Sequence, residues 1–150
     1  YYKVPTYNRE TKVIDFARGK IKVNNNLYFS DVFKTDGDAG GQYNYLHKTK
    51  YNLKHKKLNY SFDLARLATT LTEYIDDIEE QKELYDFIIG MCIDKNGDNL
   101  NDLDDDFGIY ISICENACNA IPKKQLEHNI FKKFILNLED IPNGEHIYQL

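Results

Sequence analysis

The strongest pattern in the chain is the helical spacing of apolar residues after position 60. Leucine, alanine and isoleucine recur there at intervals of three and four residues, as expected when one face of a helix is buried. Ser61 precedes this stripe and is a favoured N-cap residue. The spacing predicts that residues 62–77 form a helix buried on most sides, with the other helices packed around it. The stripe consists of Leu64, Leu67, Ala68, Leu71, Ile75 and Ile78.

Three later stretches have the same spacing and predict three more helices. The first lies near residues 80–92 and the second near 107–119. The third is expected to start at Pro122, because the first turn of a helix does not need the amide hydrogen that proline lacks. Their apolar faces contain, in order, Tyr85, Ile88, Ile89 and Cys92; Tyr110, Ile113, Cys114 and Ala117; and Leu126, Ile130, Phe131, Phe134 and Ile135.

The N-terminal part of the chain has a β-type pattern instead. Residues 11–15 and 21–29 predict short strands. The second stretch is expected to fold back on itself at residues 24–26, because asparagine tolerates the left-handed backbone of tight turns. We therefore predict a mainly α fold with a small N-terminal β element.

Residues 30–60 contain few apolar side chains and predict one long loop. Connections longer than about 15 residues inside a compact domain are usually functional or disordered.

A chain of 150 residues suits a single domain with its own core. We divide it into strands (1–29), this loop, a helical core (61–138) and a tail (139–150).

Composition and charge narrow the classes of partner. The net charge of -5 disfavours a general nucleic-acid binder, because such proteins neutralise phosphates with lysine and arginine. The basic stretch HKTKYNLKHKK, residues 47–57, is consistent with a solvated loop or with a phosphate or RNA contact. No apolar run has membrane-spanning length, and the cysteines form no C-x-x-C pair. We expect a soluble chain with no membrane partner and no leader, in a reducing intracellular compartment.

The stretch DKNGDNLNDLDD, residues 94–105, places oxygen-bearing side chains at the intervals of a helix-loop-helix calcium site. Asn99 replaces the glycine of the template's sharp turn, and Asn101 replaces the apolar residue that pairs two loops. The alternatives are therefore a calcium site and an acidic, solvated turn between two helices. The side-chain ligands would be Asp94, Asn96, Asp98, Asp102 and Asp105, together with the backbone carbonyl of Leu100.

Four ordered motifs resemble the C-terminal lobe of the protein-kinase fold. KVIDFARG (12–19) resembles its strand and D-F-G turn, and YFSDVFK (28–34) with GDAGGQYNY (37–45) resembles a shortened activation segment. SFDLARLATTL (61–71) resembles the central helix that opens with an Asp, and NAIPKKQLEHNIFKKF (119–134) resembles the last helix. As a set, the motifs look like those of the divergent serine/threonine-kinase-like proteins of large cytoplasmic DNA viruses.

The resemblance implies roles for individual residues. Asp15 would hold Mg²⁺ against the β- and γ-phosphates of ATP, and Phe16 would pack beneath the helix that carries the lysine-pairing Glu. The Asp63 carboxylate would accept hydrogen bonds from backbone amides of the catalytic loop. An acid in the first turn of a helix is also stabilised by the helix dipole, so Asp63 has a purely structural explanation as well. The surface that meets an acceptor peptide would comprise Gly37, Asp38, Gly40, Gly41, Gln42, Tyr43 and Asn44.

The sequence also departs from the kinase pattern. Ala17 stands where the motif has glycine, and the 150 residues contain no glycine-rich phosphate loop, strand lysine or H-R-D-x-x-x-x-N loop. We expect ATP- and Mg²⁺-dependent phosphorylation of serine or threonine in a protein substrate only if a parent polypeptide supplies these parts. The alternatives are a pseudokinase or virion scaffold that holds a viral partner protein, and a helical calcium-binding module. The expected location is the host cytoplasm or the virion.

Overall fold

The computed structural model describes residues 1–7, 9, 12, 14–30, 32, 37, 58–75, 79–103 and 108–144. Within these ranges the protein is mainly helical, with one small antiparallel sheet. This confirms the predicted combination of helices with a small N-terminal β element. The strands are β1 (Lys20–Val23) and β2 (Asn26–Phe29), and the α-helices are α1 (Phe62–Leu71), α2 (Lys82–Cys92), α3 (Gly108–Asn116) and α4 (Pro122–Gln125).

Strands β1 and β2 form the predicted hairpin, with Lys20 opposite Phe29. The two residues between the strands, Asn24 and Asn25, have φ angles of 48° and 64°. These left-handed values are those that a two-residue hairpin turn needs. The asparagines therefore set both the position of the turn and the register of the strands.

The strand predicted at residues 11–15 is wrong for the part of it that the structure describes. Lys12, Ile14 and Asp15 belong to no strand. The φ of 60° at Asp15 turns the chain out of the extended conformation, so a strand cannot continue through this position.

Helix α1 is shorter than predicted. It ends at Leu71, and a single 3-10 turn, Thr72–Tyr74, follows. The Thr72 hydroxyl donates to the Thr69 carbonyl at 2.8 Å, and such hydroxyl bonds weaken a helix because they compete for its carbonyl groups. Ile75 is already extended, so the helix does not reach its predicted end.

The buried face of α1 also differs from the predicted stripe. Ala65 and Ala68 are completely buried, whereas Leu67 of the predicted stripe is 51% exposed. Within α1 only Asp63 and Leu67 are exposed, so the helix is buried or half-buried on most sides, as predicted. Leu64 and Leu71 pack at the margin of the core. Small side chains on the inner face allow a close approach, and both α2 and α3 pack against α1.

The core lies between these three helices and also includes three residues outside them: Leu100, Ala117 and Ala120. Leu100 is 1% exposed, although it lies in a 3-10 turn between α2 and α3. The loop that leads to α3 is therefore anchored in the core. The buried apolar residues are Ala65, Ala68, Ile88, Met91, Cys92, Leu100, Ile113, Ala117 and Ala120.

Asn59 joins the start of α1 to the end of α3. Its Nδ2 donates to the carbonyl oxygens of Ile113, Cys114 and Ala117 at 3.2, 3.1 and 3.0 Å. Its Oδ1 accepts the Ser61 amide at 3.0 Å, whereas the Ser61 side chain makes no capping hydrogen bond. Ser61 is the N-cap residue of α1, as predicted, but the side chain that holds the helix start is that of Asn59.

The predicted fourth helix is broken into two short pieces. Pro122 occupies the first turn of α4, as predicted, but α4 ends at Gln125 and a 3-10 segment, Asn129–Phe134, follows. His128 lies between them with an extended backbone, and its Nδ1 accepts the Ile130 amide at 3.3 Å. The apolar stripe predicted for this region is therefore not the face of one continuous helix.

Burial of the Cys92 side chain in α2 makes stability depend on pH. Burial raises the pKa of the Cys92 thiol above its ordinary value, and a hydrogen bond with Asn101 opposes this shift. A thiol whose pKa is higher in the folded state contributes stability that is complete below its unfolded pKa, about 8.5. That contribution is lost as the pH rises through the folded pKa.

We therefore expect the free energy of unfolding to fall as the pH rises above about 8.5. Cys92→Ala should flatten this slope, whereas Cys118→Ala, which removes an exposed thiol, should leave it unchanged. Urea unfolding at a series of alkaline pH values measures the slopes. Equal slopes for the wild type and Cys92→Ala would contradict this assignment.

Candidate functional site

Asp15 and Phe16 lie in a tight turn that precedes the hairpin. Asp15 has φ 60° and ψ 70°, a left-handed conformation that is uncommon for residues other than glycine. Its carboxylate accepts the Ala17 amide at 3.3 Å, and the Gly19 amide donates to the Phe16 carbonyl at 2.8 Å. A Cβ at position 19 would come within 2.9 Å of that carbonyl oxygen, so Gly19 is needed to close the turn.

The Asp15 side chain is free to bind a cation. It is exposed, and within the described ranges only its Oδ1 accepts a hydrogen bond. An exposed carboxylate oxygen of this kind fits Mg²⁺, which proteins bind through one or two carboxylates together with substrate phosphates. The metal-ligand role predicted for Asp15 stays a prediction.

Apolar side chains beside Asp15 are left uncovered. Phe16 is 72% exposed, and Ile21 and Tyr28, which face each other across the outer side of the hairpin, are 60% and 55% exposed. Val23 on the same side is also exposed. Exposed apolar residues of this kind indicate a contact surface where they form one continuous patch. We call Phe16, Ile21, Val23 and Tyr28 the hairpin surface.

Asp63 lies in the first turn of α1, as predicted, and its carboxylate is exposed. Neither a hydrogen bond nor an ion pair links it to Asp15 in the part of the chain that the structure describes. Phe29, Val32, Phe62 of α1 and Tyr110 of α3 are partly buried at the margin of one hydrophobic cluster. The prediction that Asp63 faces the Asp15 turn stays a prediction.

The predicted acceptor surface is described at one position. Gly37 lies in a half-buried bend. The other predicted residues lie outside the described ranges: Asp38, Gly40, Gly41, Gln42, Tyr43 and Asn44.

The loop after α2 is organised by Asp94. This side chain is only 6% exposed, and its Oδ1 accepts the amides of Asn96 and Asp98 at 2.7 and 3.1 Å. Its Oδ2 accepts the Asn96 side-chain amide at 3.2 Å. Both carboxylate oxygens therefore hold the loop in shape, which explains an Asp at this position without a metal ion.

The sharp turn of this loop is made earlier than a calcium template requires. Gly97 has φ +90°, and the Asp94 amide donates to the Asp98 carbonyl at 2.9 Å. Asn99 is extended and pairs with Ile93 in an isolated β-bridge. The asparagine at position 99 thus needs no left-handed backbone. Asp102 is exposed in the following 3-10 turn, and Asp105 lies outside the described residues.

Replacing Asp94 should destabilise the protein. Asp94→Ala leaves two backbone amides without their acceptor, a loss of about 1–3 kcal/mol of unfolding free energy. Asp94→Asn keeps an acceptor oxygen and should lose less, and Asp98→Ala, at an exposed position of the same loop, serves as the control. Chemical denaturation of the three variants measures the difference. Equal stabilities of Asp94→Ala and Asp98→Ala would contradict the role of the carboxylate.

Comparisons of the chain with protein-family models, curated proteins and solved structures found no match. Among the described residues, no cluster of three or more histidine, cysteine, aspartate or glutamate side chains has a geometry suited to a metal ion. No helix in the same ranges has the length and apolar character needed to cross a membrane.

One cavity was not predicted from the sequence. It lies between α2 and the segment that follows α3, and Gly90 is among its lining residues. A glycine inside a helical pattern often has a packing or functional reason, and this was the signal available in the sequence.

Proposed function

We propose that the chain is the C-lobe portion of a serine/threonine-kinase-like protein of a large cytoplasmic DNA virus. The observation that carries the proposal is the left-handed conformation of Asp15. Left-handed conformations of residues other than glycine cluster at functional sites as well as in turns such as that of Asn24 and Asn25. Here the strain falls on the residue that the kinase resemblance assigns to the metal.

The surroundings of Asp15 support the same proposal. The hairpin surface is uncovered, as expected if a second lobe packs on it, and Phe16 would then lie beneath the helix of that lobe. Helix α1 packs against both α2 and α3, which suits the central helix of the C-lobe. Asp63, in its first turn, would accept amides from the catalytic loop.

In this proposal Asp15 binds Mg²⁺ against the phosphates of ATP, where the ion offsets charge in the transferring group. The acceptor platform is formed by residues 37–44. The catalytic base and most nucleotide contacts would come from parts of the parent polypeptide outside these 150 residues. The reaction is phosphoryl transfer to serine or threonine hydroxyls of a protein substrate.

The proposal is tested on the full-length parent, with the present 150 residues as the control. Mg²⁺ and ATP together should raise the melting temperature of the parent, and labelled phosphate should appear on serine or threonine of a protein substrate. The 150 residues alone should show neither effect. A parent that neither binds MgATP nor transfers phosphate would overturn the kinase activity and favour the pseudokinase or virion scaffold.

A calcium-binding module is the second candidate. It is favoured by a cavity of about 230 Å³ that Asp94, Asn96, Asp98 and Asn116 line with polar side chains. Calcium would bind weakly, with a dissociation constant of about 10⁻⁴ to 10⁻³ M. Calorimetry with calcium on the wild type and on Asp94→Ala tests this. Heat of binding in the wild type that Asp94→Ala abolishes would support a calcium site. If neither protein gives heat, the stretch is an acidic, solvated turn.

A further inference from the structure

A cavity of about 330 Å³ separates α2 from the segment that follows α3. Phe87 and Gly90 of α2 line one side, and Lys124 and His128 line the other. We call this cavity the α2 cleft. It shares no residue with the Asp15 turn or with the loop around Asp94.

Gly90 keeps the α2 cleft open. Glycine inside a helix is less stable than alanine, so its presence in α2 needs a reason. A Cβ at this position would meet no atom within 4 Å, and its φ is not in the left-handed region. Neither packing nor backbone conformation therefore requires glycine, and close approach of a ligand to the helix is the explanation that remains.

An aromatic wall forms one side of the cleft. The rings of Phe87 and His128 lie 4.8 Å apart between centroids, and Phe131 packs edge-on against Phe87 at 5.4 Å. The His128 Nδ1 accepts the Ile130 amide, so the neutral ring carries its proton on Nε2. His128 thus combines a face for stacking with an N–H donor.

One lysine, Lys124, lines the cleft beside this wall. The Lys124 ammonium has neither an ion pair nor a hydrogen bond within the described ranges. Asp86, which also lines the cleft, is already paired with Lys82 at 2.7 Å. In a chain of net charge -5, residues 121–135 carry four lysines and a single acid: Lys123, Lys124, Lys132 and Lys133, with Glu127.

We propose that the α2 cleft binds an aromatic phosphate monoester, presented by a protein partner as a phosphotyrosine side chain. The ring would lie against the Phe87–His128 wall over Gly90. The phosphate would accept hydrogen bonds from the Lys124 ammonium and from the His128 Nε2–H, both of which suit an anion. The size of the cleft fits one side chain rather than a large ligand. This inference does not depend on the kinase proposal.

The first test is calorimetric titration of the full chain with phenyl phosphate and with a phosphotyrosine peptide. Both should bind, and inorganic phosphate and the unphosphorylated peptide should bind at least about tenfold more weakly. Each ligand that binds should also slow alkylation of Cys118, an exposed thiol at the cleft. Equal binding of inorganic phosphate and phenyl phosphate would overturn the role of the aromatic wall.

Adjacent lysines provide a matched pair of variants. Lys123 and Lys124 are both exposed on α4, and Lys124 is the one that lines the cleft. Lys124→Ala should lose at least about tenfold in affinity for the peptide, whereas Lys123→Ala should not. Gly90→Leu should fill the cleft without disrupting α2 and abolish binding.

Two further outcomes would overturn the proposal. Unchanged binding by a folded Gly90→Leu protein would place the ligand elsewhere. Tighter binding of adenosine monophosphate than of the phosphotyrosine peptide would make the cleft a nucleotide site and exclude the protein partner.

Discussion

Replacing Asp15 with asparagine in the full-length parent is expected to lower the rate of phosphoryl transfer by about 10²- to 10³-fold. In the proposed kinase the carboxylate would supply negative charge to a Mg²⁺ ion that neutralises the transferring phosphate, and an amide keeps the shape but not the charge. Asparagine also tolerates the left-handed backbone observed at this position, so the turn should survive. The expected loss is therefore in activity and in MgATP-dependent stabilisation, with little change in the melting temperature without ligand.

Asp140→Asn is a suitable control, because Asp140 is also exposed and accepts a local hydrogen bond, from Asn137 at 3.1 Å. Both variants would be compared with the wild type in a phosphate-transfer assay and in melting curves with and without MgATP. Undiminished transfer by Asp15→Asn would remove Asp15 as a metal ligand. A loss of transfer equal in both variants would show that the effect is not specific to the turn.

Truncation of Leu100 should produce the largest loss of stability. The side chain is fully buried between the helices, and Leu→Ala substitutions at such sites cost about 2–5 kcal/mol. The substitution should weaken packing throughout the core, because Leu100 anchors the loop between α2 and α3. Urea unfolding of Leu100→Ala measures the change in free energy.

Leu103→Ala is the matched control for this measurement. Leu103 lies three residues further on and is 43% exposed, so its truncation creates no buried cavity and should cost less than about 1 kcal/mol. Similar losses for the two variants would mean that Leu100 is not anchored in the core as described.

The sequence pattern predicted the elements that depend on interactions between residues close together in the chain. Helices α2 and α3 lie within the stretches 80–92 and 107–119 where the apolar spacing placed them. The hairpin followed from its asparagines, which adopt the left-handed conformation that few other residues tolerate. Each of these features depends on residues a few positions apart.

Features that depend on distant residues were not predictable in this way. The inner face of α1 is set by how closely α2 and α3 approach, so Ala65 and Ala68 are buried more deeply than Leu67. The hydrogen bonds that fix the start of α1 come from Asn59, and no periodic pattern marks such a residue.

The candidate sites show the same limit. An Asp that accepts hydrogen bonds from the amides of its own loop has the same sequence pattern as an Asp that binds a cation. The sequence of residues 94–105 therefore could not distinguish an acidic turn from a calcium site. At Asp15 the sequence indicated a carboxylate after a short apolar stretch. The left-handed backbone and the uncovered hairpin surface became visible only in three dimensions.

The hydrogen bonds of Asn59 have a consequence for the order of folding. They join residues that are 54 to 58 positions apart in the sequence, and closing so long a loop costs conformational entropy. We therefore expect these bonds to form after α2 and α3 have shortened the intervening chain, since local helices form much faster than distant contacts. During synthesis the start of α1 leaves the ribosome well before the end of α3, yet its backbone is fixed last. Amide hydrogens near Ser61 should accordingly exchange with solvent through a partial opening, earlier than those in the middle of α2 and α3.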